Sequence, residues 1–233
     1  MEIIFILIAA LLPVAILLMY IYKKDSEQPE PKGWLAKAFI YGAISAPLSM
    51  CISFPLCDIL GIDTDGEQYA SILDAFINAF CSAAIPEEVA KLLMLWLLLR
   101  KNPHFDEKFD GIVYAVCVGL GFAGLENILY LLDGDGWIGT GIARALFAVP
   151  GHMLFGVLMG YFYSLHHFSG GQNTKAKYMI LLAPIIAHGV YDGILFSLSV
   201  DEELSAILII GFLWFFNKLR KKGQEKINEL VGK

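Results

Sequence analysis

Seven apolar runs divide the chain, at residues 3–22, 34–60, 72–99, 111–132, 138–165, 178–199 and 204–216. A membrane-spanning helix needs about 20 predominantly apolar residues. Most of the runs reach that length, and short polar connections separate them. The pattern therefore predicts an all-α, polytopic transmembrane helical bundle with about seven spans. We expect residues 1–233 to form a single integral membrane domain, with its core motifs at 71–199 and a basic cytoplasmic tail at 217–233.

Composition and charge placement support this prediction. The mean hydropathy of +0.62 and the 57% hydrophobic content exclude an ordinary soluble domain. Lys and Arg occur in the connections 23–33, 100–110 and 166–177 and in the tail, whereas the connections 61–71, 133–137 and 200–203 contain neither. Because basic connections favour the cytoplasm, we expect the amino terminus outside and the carboxyl terminus in the cytoplasm.

Several ionisable residues lie within the apolar runs. A bilayer disfavours such side chains, so a group of them on different spans is by default a functional site facing a shared polar interior. Residues three or four positions apart share one face of a helix. This spacing predicts that Lys91 contacts Glu87 and Glu88 and that His188 contacts Asp192. It also places Phe122 one turn from Glu126. The residues concerned are Glu87, Glu88 and Lys91, then Phe122 and Glu126, then His152, and finally His188 with Asp192.

Small residues and prolines accompany these charges. Gly119 and Ala123 precede Glu126, and Gly156 and Gly160 follow His152, so close backbone approach is expected there. Proline removes a helical hydrogen bond, and within a membrane such breaks are tolerated where the backbone lines a cavity or is buried in protein. The positions of Pro86, Pro150 and Pro184 therefore predict local helix breaks around a water-accessible pocket.

The ionisable residues also have plain structural interpretations. Glu88 with Lys91 fits a buried ion pair, a lone His152 fits an interhelical hydrogen bond, and Asp110 and Arg144 lie near span ends where charge is less costly. The paired carboxylates of Glu87 and Glu88 exceed what one Lys neutralises. Close carboxylates in a poorly solvated site do not both ionise readily, so one is expected to hold a proton.

A carboxylate beside a carboxylic acid has the parts needed for peptide-bond hydrolysis. The carboxylate activates a water molecule, and the acid then protonates the leaving amine. A nearby imidazole or protonated acid stabilises the oxyanion that forms on the carbonyl. The rival class is a proton-coupled secondary transporter, which also uses proline-broken helices with ionisable residues at the midplane. Transporters often show an internal repeat, and the chain contains no second copy of the Glu87 to Lys91 segment.

The ordered series of motifs resembles that of the PrsW family of intramembrane proteases. It consists of Glu87-Glu88-x-x-Lys91, Phe122-x-x-x-Glu126-Asn127, His152-x-x-x-Gly156 and His188-x-x-x-Asp192. Further similarity lies at 29–32 and 109–114, and the resemblance covers about 25–196. The family is similar, more distantly, to the CAAX-processing and bacteriocin-processing proteases.

The resemblance implies a multi-pass protease of the bacterial plasma membrane that acts in a stress response. Its implied partner is a single-span membrane protein, an anti-sigma factor cleaved at its extracytoplasmic side, within the lipid bilayer and without nucleic acid. Glu87 and Glu88 are implied as the main catalytic residues, with Glu126 assisting and His188 as the oxyanion partner. The remaining site residues are His152 and Asp192 as catalytic, and Lys91, Phe122 and Asn127 as supporting.

The sequence leaves a metal ion as an alternative. Zinc binds carboxylate and imidazole ligands, and here they would be Glu87, Glu126, His152 and His188. The His-Glu-x-x-His motif of many zinc hydrolases is absent from the sequence. We therefore expect a metal-free glutamate mechanism with no cofactor, and a zinc-dependent protease of the CAAX-processing type is the alternative.

Overall fold

Helices make up the fold in a computed structural model that describes residues 2–62, 69–133 and 136–231. No strand occurs in these described ranges, so the all-α prediction is confirmed. The α-helices are α1 (Glu2–Lys24), α2 (Lys32–Leu60), α3 (Ile72–Asn78), α4 (Ile85–Leu99), α5 (Lys108–Asp133), α6 (Trp137–Ala143), α7 (Val149–His167), α8 (Thr174–Phe196) and α9 (Glu202–Leu230).

Several of these helices join into longer rods. A π-helical turn at Ala79–Ala84 connects α3 to α4 without a break, and a second one at Arg144–Ala148 connects α6 to α7. The described residues therefore form seven continuous rods, which correspond to the seven predicted runs. Five rods are long and apolar enough to cross a membrane. The rods that contain α4 and α9 carry more charge than these five. With five such rods, the protein is a multi-pass membrane protein.

The predicted orientation is not tested by the fold. Its acidic outer connections include Asp63, Asp65, Glu67 and Asp135, which lie outside the described residues. The placement of the amino terminus outside and the carboxyl terminus in the cytoplasm stays a prediction. Reporter fusions in the connections 25–31 and 168–173 would test it.

The prediction that the prolines break the helices is wrong in detail. Helix α8 continues through Pro184, and Pro86 and Pro150 lie in the first turns of α4 and α7, directly after the two π-helical turns. Such turns accommodate an extra residue without ending the helix, and they occur often at functional sites. The sequence signal for irregular backbone was therefore correct, whereas its form is a π-helical turn.

Helix α5 lies at the centre of the bundle and packs against α7, α2 and α1. Glycines allow this packing, as the sequence predicts. A Cβ atom at Gly119 would lie 2.8 Å from the backbone oxygen of His152. A Cβ atom at Gly160 would lie even closer to the backbone oxygen of Gly111. The face of α5 that carries Glu126 is thereby held against the first turns of α7.

The basic tail is not a simple solvated extension. Helix α9 continues to Leu230, well past the predicted run that ends at residue 216. Ile227 and Leu230 are buried in the cluster that contains Val14 and Ile21 of α1. Tyr161 of α7 donates a hydrogen bond to Glu229 at 2.7 Å. The tail thus forms an amphipathic helix that packs on α1 and α7.

Candidate active site

All the residues predicted for the site converge on one region of the bundle. Helix α4 contributes the two neighbouring glutamates and a lysine, α5 a glutamate with its flanking residues, and α7 and α8 the histidines and an aspartate. They are Glu87, Glu88, Lys91, Phe122, Glu126, Asn127, His152, His188 and Asp192. The predicted contacts of Lys91 with Glu87 and Glu88 and of His188 with Asp192 are confirmed.

Lys91 lies at the centre of the α4 cluster. Its Nζ donates to Glu87 Oε2 at 3.0 Å and to Glu88 Oε1 at 2.9 Å. The same ammonium is 3.2 Å from His152 Nδ1 and 4.0 Å from the centre of the Phe122 ring. Because an ammonium only donates, Nδ1 of His152 accepts this bond. The other ring nitrogen therefore carries the proton.

Glu126 accepts a hydrogen bond from this N–H group of His152 and a second one from Arg144. His152 Nε2 lies 2.9 Å from Glu126 Oε2, and the Arg144 guanidinium lies 2.6 Å from the same oxygen. Arg144 also donates to Asn127 Oδ1 at 2.6 Å and covers the Tyr130 ring at 4.1 Å. Asn127 in turn donates to the backbone oxygen of Ala10 at 3.1 Å, which ties this corner of the site to α1.

Arg144 is the residue that the sequence interpretation missed. Its position near a span end favours a structural role, but it pairs with a predicted catalytic carboxylate in the wall of the site. The available signal was its position as a basic residue within the apolar run 138–165. The spacing rule could not assign its partner, because Glu126 lies on a different helix.

His188 contacts carboxylates of both α4 and α8. Its Nδ1 lies 3.0 Å from Glu88 Oε1, and its Nε2 lies 3.0 Å from Asp192 Oδ2 and 3.9 Å from Glu87 Oε2. Both ring nitrogens therefore face carboxylate oxygens, and a ring protonated on both satisfies the two short contacts. Phe155 stacks on the imidazole at 4.5 Å and fixes its plane.

A cavity of about 290 Å³ opens beside these groups. Glu87, Glu126, His152, His188 and Asp192 line it together with Arg144, and aromatic residues such as Tyr191 and Phe212 form the rest of the wall. Both π-helical turns contribute to the wall, through Ala83 of the first and through Arg144, Phe147 and Ala148 of the second. The predicted pocket is present in the described residues.

The two neighbouring glutamates differ in their access to this cavity. Glu87 lines the cavity, whereas Glu88 is fully buried behind it and does not contribute to the wall. Lys91 is 3% exposed and lies in the same buried layer. One oxygen of Glu88, Oε2, has no hydrogen-bond partner. The geometry thus separates a carboxylate that meets the cavity from one that supports the residues around it.

Two groups of residues in this region have the ligand types of a metal site. Glu87, Glu88 and His152 offer ligand atoms within 4.8 Å of one another, but Lys91 Nζ lies within 3.2 Å of an atom of each and already supplies the cation there. The predicted set, Glu87 and His188 with Glu126 and His152, lines the cavity. Its two carboxylates and two imidazoles are ligands that zinc accepts, so this set fits a metal by its chemistry.

The comparisons with known proteins agree with these features. The model of a family described as PrsW family intramembrane metalloprotease matches residues 30–217. The Protease PrsW of Geobacillus kaustophilus is 34% identical, over 94% of this chain and 91% of its own length. Those of Clostridioides difficile and Bacillus subtilis are also 34% identical, over 91% and 94% of this chain and 89% and 95% of theirs. No solved structure matches the chain significantly.

These matches decide between the classes that the sequence left open. The relatives are named as proteases, which supports a peptidase and not a proton-coupled transporter as the class of this chain. The family description includes a metal, which the expectation of a cofactor-free mechanism did not. The match covers every residue of the candidate site, and the chain therefore belongs to the PrsW family of intramembrane proteases.

Proposed function

We propose that this chain is an intramembrane endopeptidase that cleaves a membrane-spanning anti-sigma factor at its extracytoplasmic side. It would act as the first protease of a regulated cascade. The family supports the peptidase class, and the motif resemblance supports the substrate class. The observation that carries the proposal is the carboxylate of Glu87, which lines the cavity beside His188, together with the Glu126 and Arg144 pair.

Glu87 is the general base in this proposal. It accepts a proton from a water molecule while the water oxygen attacks the carbonyl carbon of the scissile peptide bond. The C–N bond then breaks, and the same proton passes from Glu87 to the leaving nitrogen. Lys91, at 3.0 Å, fixes one oxygen of Glu87 and leaves the side chain facing the cavity.

His188 is the proposed oxyanion partner. Its Nε2 lies in the cavity wall 3.9 Å from Glu87 Oε2, so a carbonyl under attack by a Glu87-bound water comes within reach of this N–H group. Asp192 accepts from the same nitrogen at 3.0 Å in the free protein. The donor would turn to the developing oxyanion, where such a group contributes most.

Glu88 is proposed as a positioning residue. It holds Nδ1 of His188 at 3.0 Å and Nζ of Lys91 at 2.9 Å, but it does not face the cavity. Its role is therefore to set the ring plane of His188 and to balance the charge of Lys91. Glu126 assists from the opposite wall, where Arg144 and His152 fix its carboxylate.

A metal-dependent form of the same reaction is the alternative, and the family description favours it. Glu87, Glu126, His152 and His188 would hold the ion, which when bound would polarise the scissile carbonyl. We prefer the metal-free form because the neighbouring carboxylates of Glu87 and Glu88 already hold the ammonium of Lys91 between them. In both forms Glu87 faces the reacting carbonyl.

Co-expression tests the substrate assignment. A tagged single-span anti-sigma factor from the same genome is expressed with the wild type or with Glu87→Gln, and membranes are analysed by immunoblot. We expect a shortened fragment with the wild type only. Glu225→Gln, an exposed change of the same kind on α9, is the matched control and should cleave like the wild type. The same fragment with Glu87→Gln, or none from any such factor of that genome, would contradict the proposal.

A further inference from the structure

A second group of buried acids lies where α1, α2 and α5 meet their connections. Asp25 follows α1, Glu30 precedes α2, Glu107 precedes α5, and Asp110 lies in the first turn of α5. Asp25, Glu30 and Asp110 are 2%, 5% and 0% exposed. None of these acids belongs to the active site, and the motif stretches 29–32 and 109–114 of the sequence meet here.

The group holds carboxylate oxygens close together. Asp25, Glu107 and Asp110 offer oxygen atoms within 4.8 Å of one another. Asp25 Oδ2 accepts the backbone N–H of Glu30 at 2.9 Å, and Asp110 Oδ2 accepts the backbone N–H of Glu107 at 2.7 Å. Tyr114 donates a short hydrogen bond to Glu30 Oε2. Asp25, Asp110 and Glu30 are thus fixed in place by the local backbone or by a neighbouring side chain.

Two oxygens in this group have no partner although they are buried. Asp25 Oδ1 and Asp110 Oδ1 accept no hydrogen bond. In the described ranges, no Lys, Arg or His forms an ion pair with any of the four acids. A buried carboxylate without a counter-charge or a donor is costly. Among the described residues, no side chain supplies the positive charge that would balance these acids.

We propose that Asp25, Glu107 and Asp110 form a binding site for a hard divalent cation, separate from the active site, with Glu30 as a neighbouring acid. Carboxylate oxygens are the ligands that Mg²⁺, Mn²⁺ and Ca²⁺ prefer. Opposite oxygens around such ions lie about 4–5 Å apart, since metal–oxygen distances are about 2.0–2.6 Å. Oxygen atoms of Asp25, Glu107 and Asp110 lie within 4.8 Å of one another, close enough to share one such ion. A bound ion would tie α1, α2 and α5 together at this end of the bundle.

Protons are the competing occupants of the site. Burial raises the pKa of Asp25 to about 6 and the pKa of Glu30 to about 7. Without a cation, these acids would therefore hold protons over part of the neutral range. A bound divalent ion and bound protons can be distinguished by experiment. Only a bound ion makes the unfolding temperature depend on added metal.

The test uses the purified full chain in detergent after chelator treatment and gel filtration. Mg²⁺, Ca²⁺ and Mn²⁺ are titrated separately by calorimetry, and thermal unfolding is followed with and without each ion. We expect binding of one ion per chain and a rise in the unfolding temperature, because a ligand that binds only the folded state stabilises it. Glu87→Gln changes the active site alone and should keep this response.

Paired variants assign the response to the proposed ligands. Asp25→Asn combined with Asp110→Asn removes two ligands and should abolish both binding and stabilisation. Glu27→Gln combined with Asp106→Asn removes the same charge from exposed positions of the same two connections and should respond like the wild type. If the first double variant does not fold, Glu107→Gln alone should weaken binding by about 10-fold or more.

Two results would overturn the proposal. One is a wild type whose unfolding temperature responds to none of the three ions and rises only as the pH falls, which would assign the group to protons. The other is a response that persists unchanged in Asp25→Asn with Asp110→Asn, or in Glu107→Gln, which would place the ion elsewhere. The test does not depend on the proposed roles in catalysis.

Discussion

The protein has two groups of four carboxylates each, and they differ in how their charge is balanced. In the proposed active site, Lys91, Arg144 and two histidines contact the acids. In the group around Asp110, no basic side chain of the described ranges forms an ion pair with them. The active-site acids are Glu87, Glu88, Glu126 and Asp192, and the others are Asp25, Glu30, Glu107 and Asp110.

The difference concerns access as well as charge. The proposed active site opens to a cavity of about 290 Å³, and its internal cations contact the carboxylates around that space. In the second group, Asp25 and Asp110 are fixed by backbone N–H groups at the ends of helices. The balanced charges of the first group suit a reaction in the cavity. The unbalanced negative charge of the second group suits the binding of an external cation.

Removal of Lys91 should have the largest effect on stability. Lys91→Met keeps the volume but leaves Glu88 buried without its cation, and breaking a buried pair in this way costs about 3–5 kcal/mol. Thermal unfolding in detergent measures the loss. Lys221→Met, an exposed change on α9, is the control and should stay near the wild type. Equal stability of the two variants would mean that the active-site charges are not balanced by Lys91.

Removal of His188 tests the catalytic role of the ring and the metal together. Losing an oxyanion donor lowers the rate by about 10²–10³-fold, so His188→Ala should cleave its substrate that much more slowly. In the metal-free mechanism, elemental analysis finds no stoichiometric zinc in the wild type, and cleavage persists after prolonged chelation. Stoichiometric zinc that is lost with activity in His188→Ala, and activity that added metal restores to chelated wild type, would establish the metalloprotease instead.

The smallest effect is expected in the second group. Tyr114→Phe removes the hydroxyl that donates to Glu30, and leaving a buried acceptor unsatisfied costs about 1–3 kcal/mol. Thermal unfolding of the chelated protein measures it. Tyr178→Phe, on the exposed face of α8, is the control. A destabilisation no larger than that of Tyr178→Phe would show that the Tyr114 hydroxyl does not hold this group together.

The sequence predicted much of this arrangement, for a physical reason. Apolar length defines the spans, and helical periodicity fixes contacts within one helix, so the pairs of Lys91 with Glu87 and Glu88 and of His188 with Asp192 followed directly. The buried face of α9 was also present in the pattern, since Leu219, Gly223, Ile227 and Leu230 recur at helical spacing. Charged residues between them hid that face from a search for apolar runs.

Contacts between helices could not be predicted in the same way. The pairing of Arg144 with Glu126 depends on a π-helical turn and on the packing of α7 against α5. The approach of Asp25 to Asp110 joins two connections about 85 positions apart. Spacing along one helix contains no information on either contact, because both depend on how separate rods are placed.

The central claim is that Glu87 reacts and Glu88 positions, and one paired measurement tests it directly. Purified Glu87→Gln and Glu88→Gln are compared with the wild type for cleavage rate and for thermal unfolding in the same preparation. We predict that Glu87→Gln loses about 10²–10⁴-fold in rate at nearly unchanged stability. Glu88→Gln should lose both rate and stability, because Lys91 and His188 lose a buried partner. Cleavage by Glu87→Gln at the wild-type rate would contradict the account.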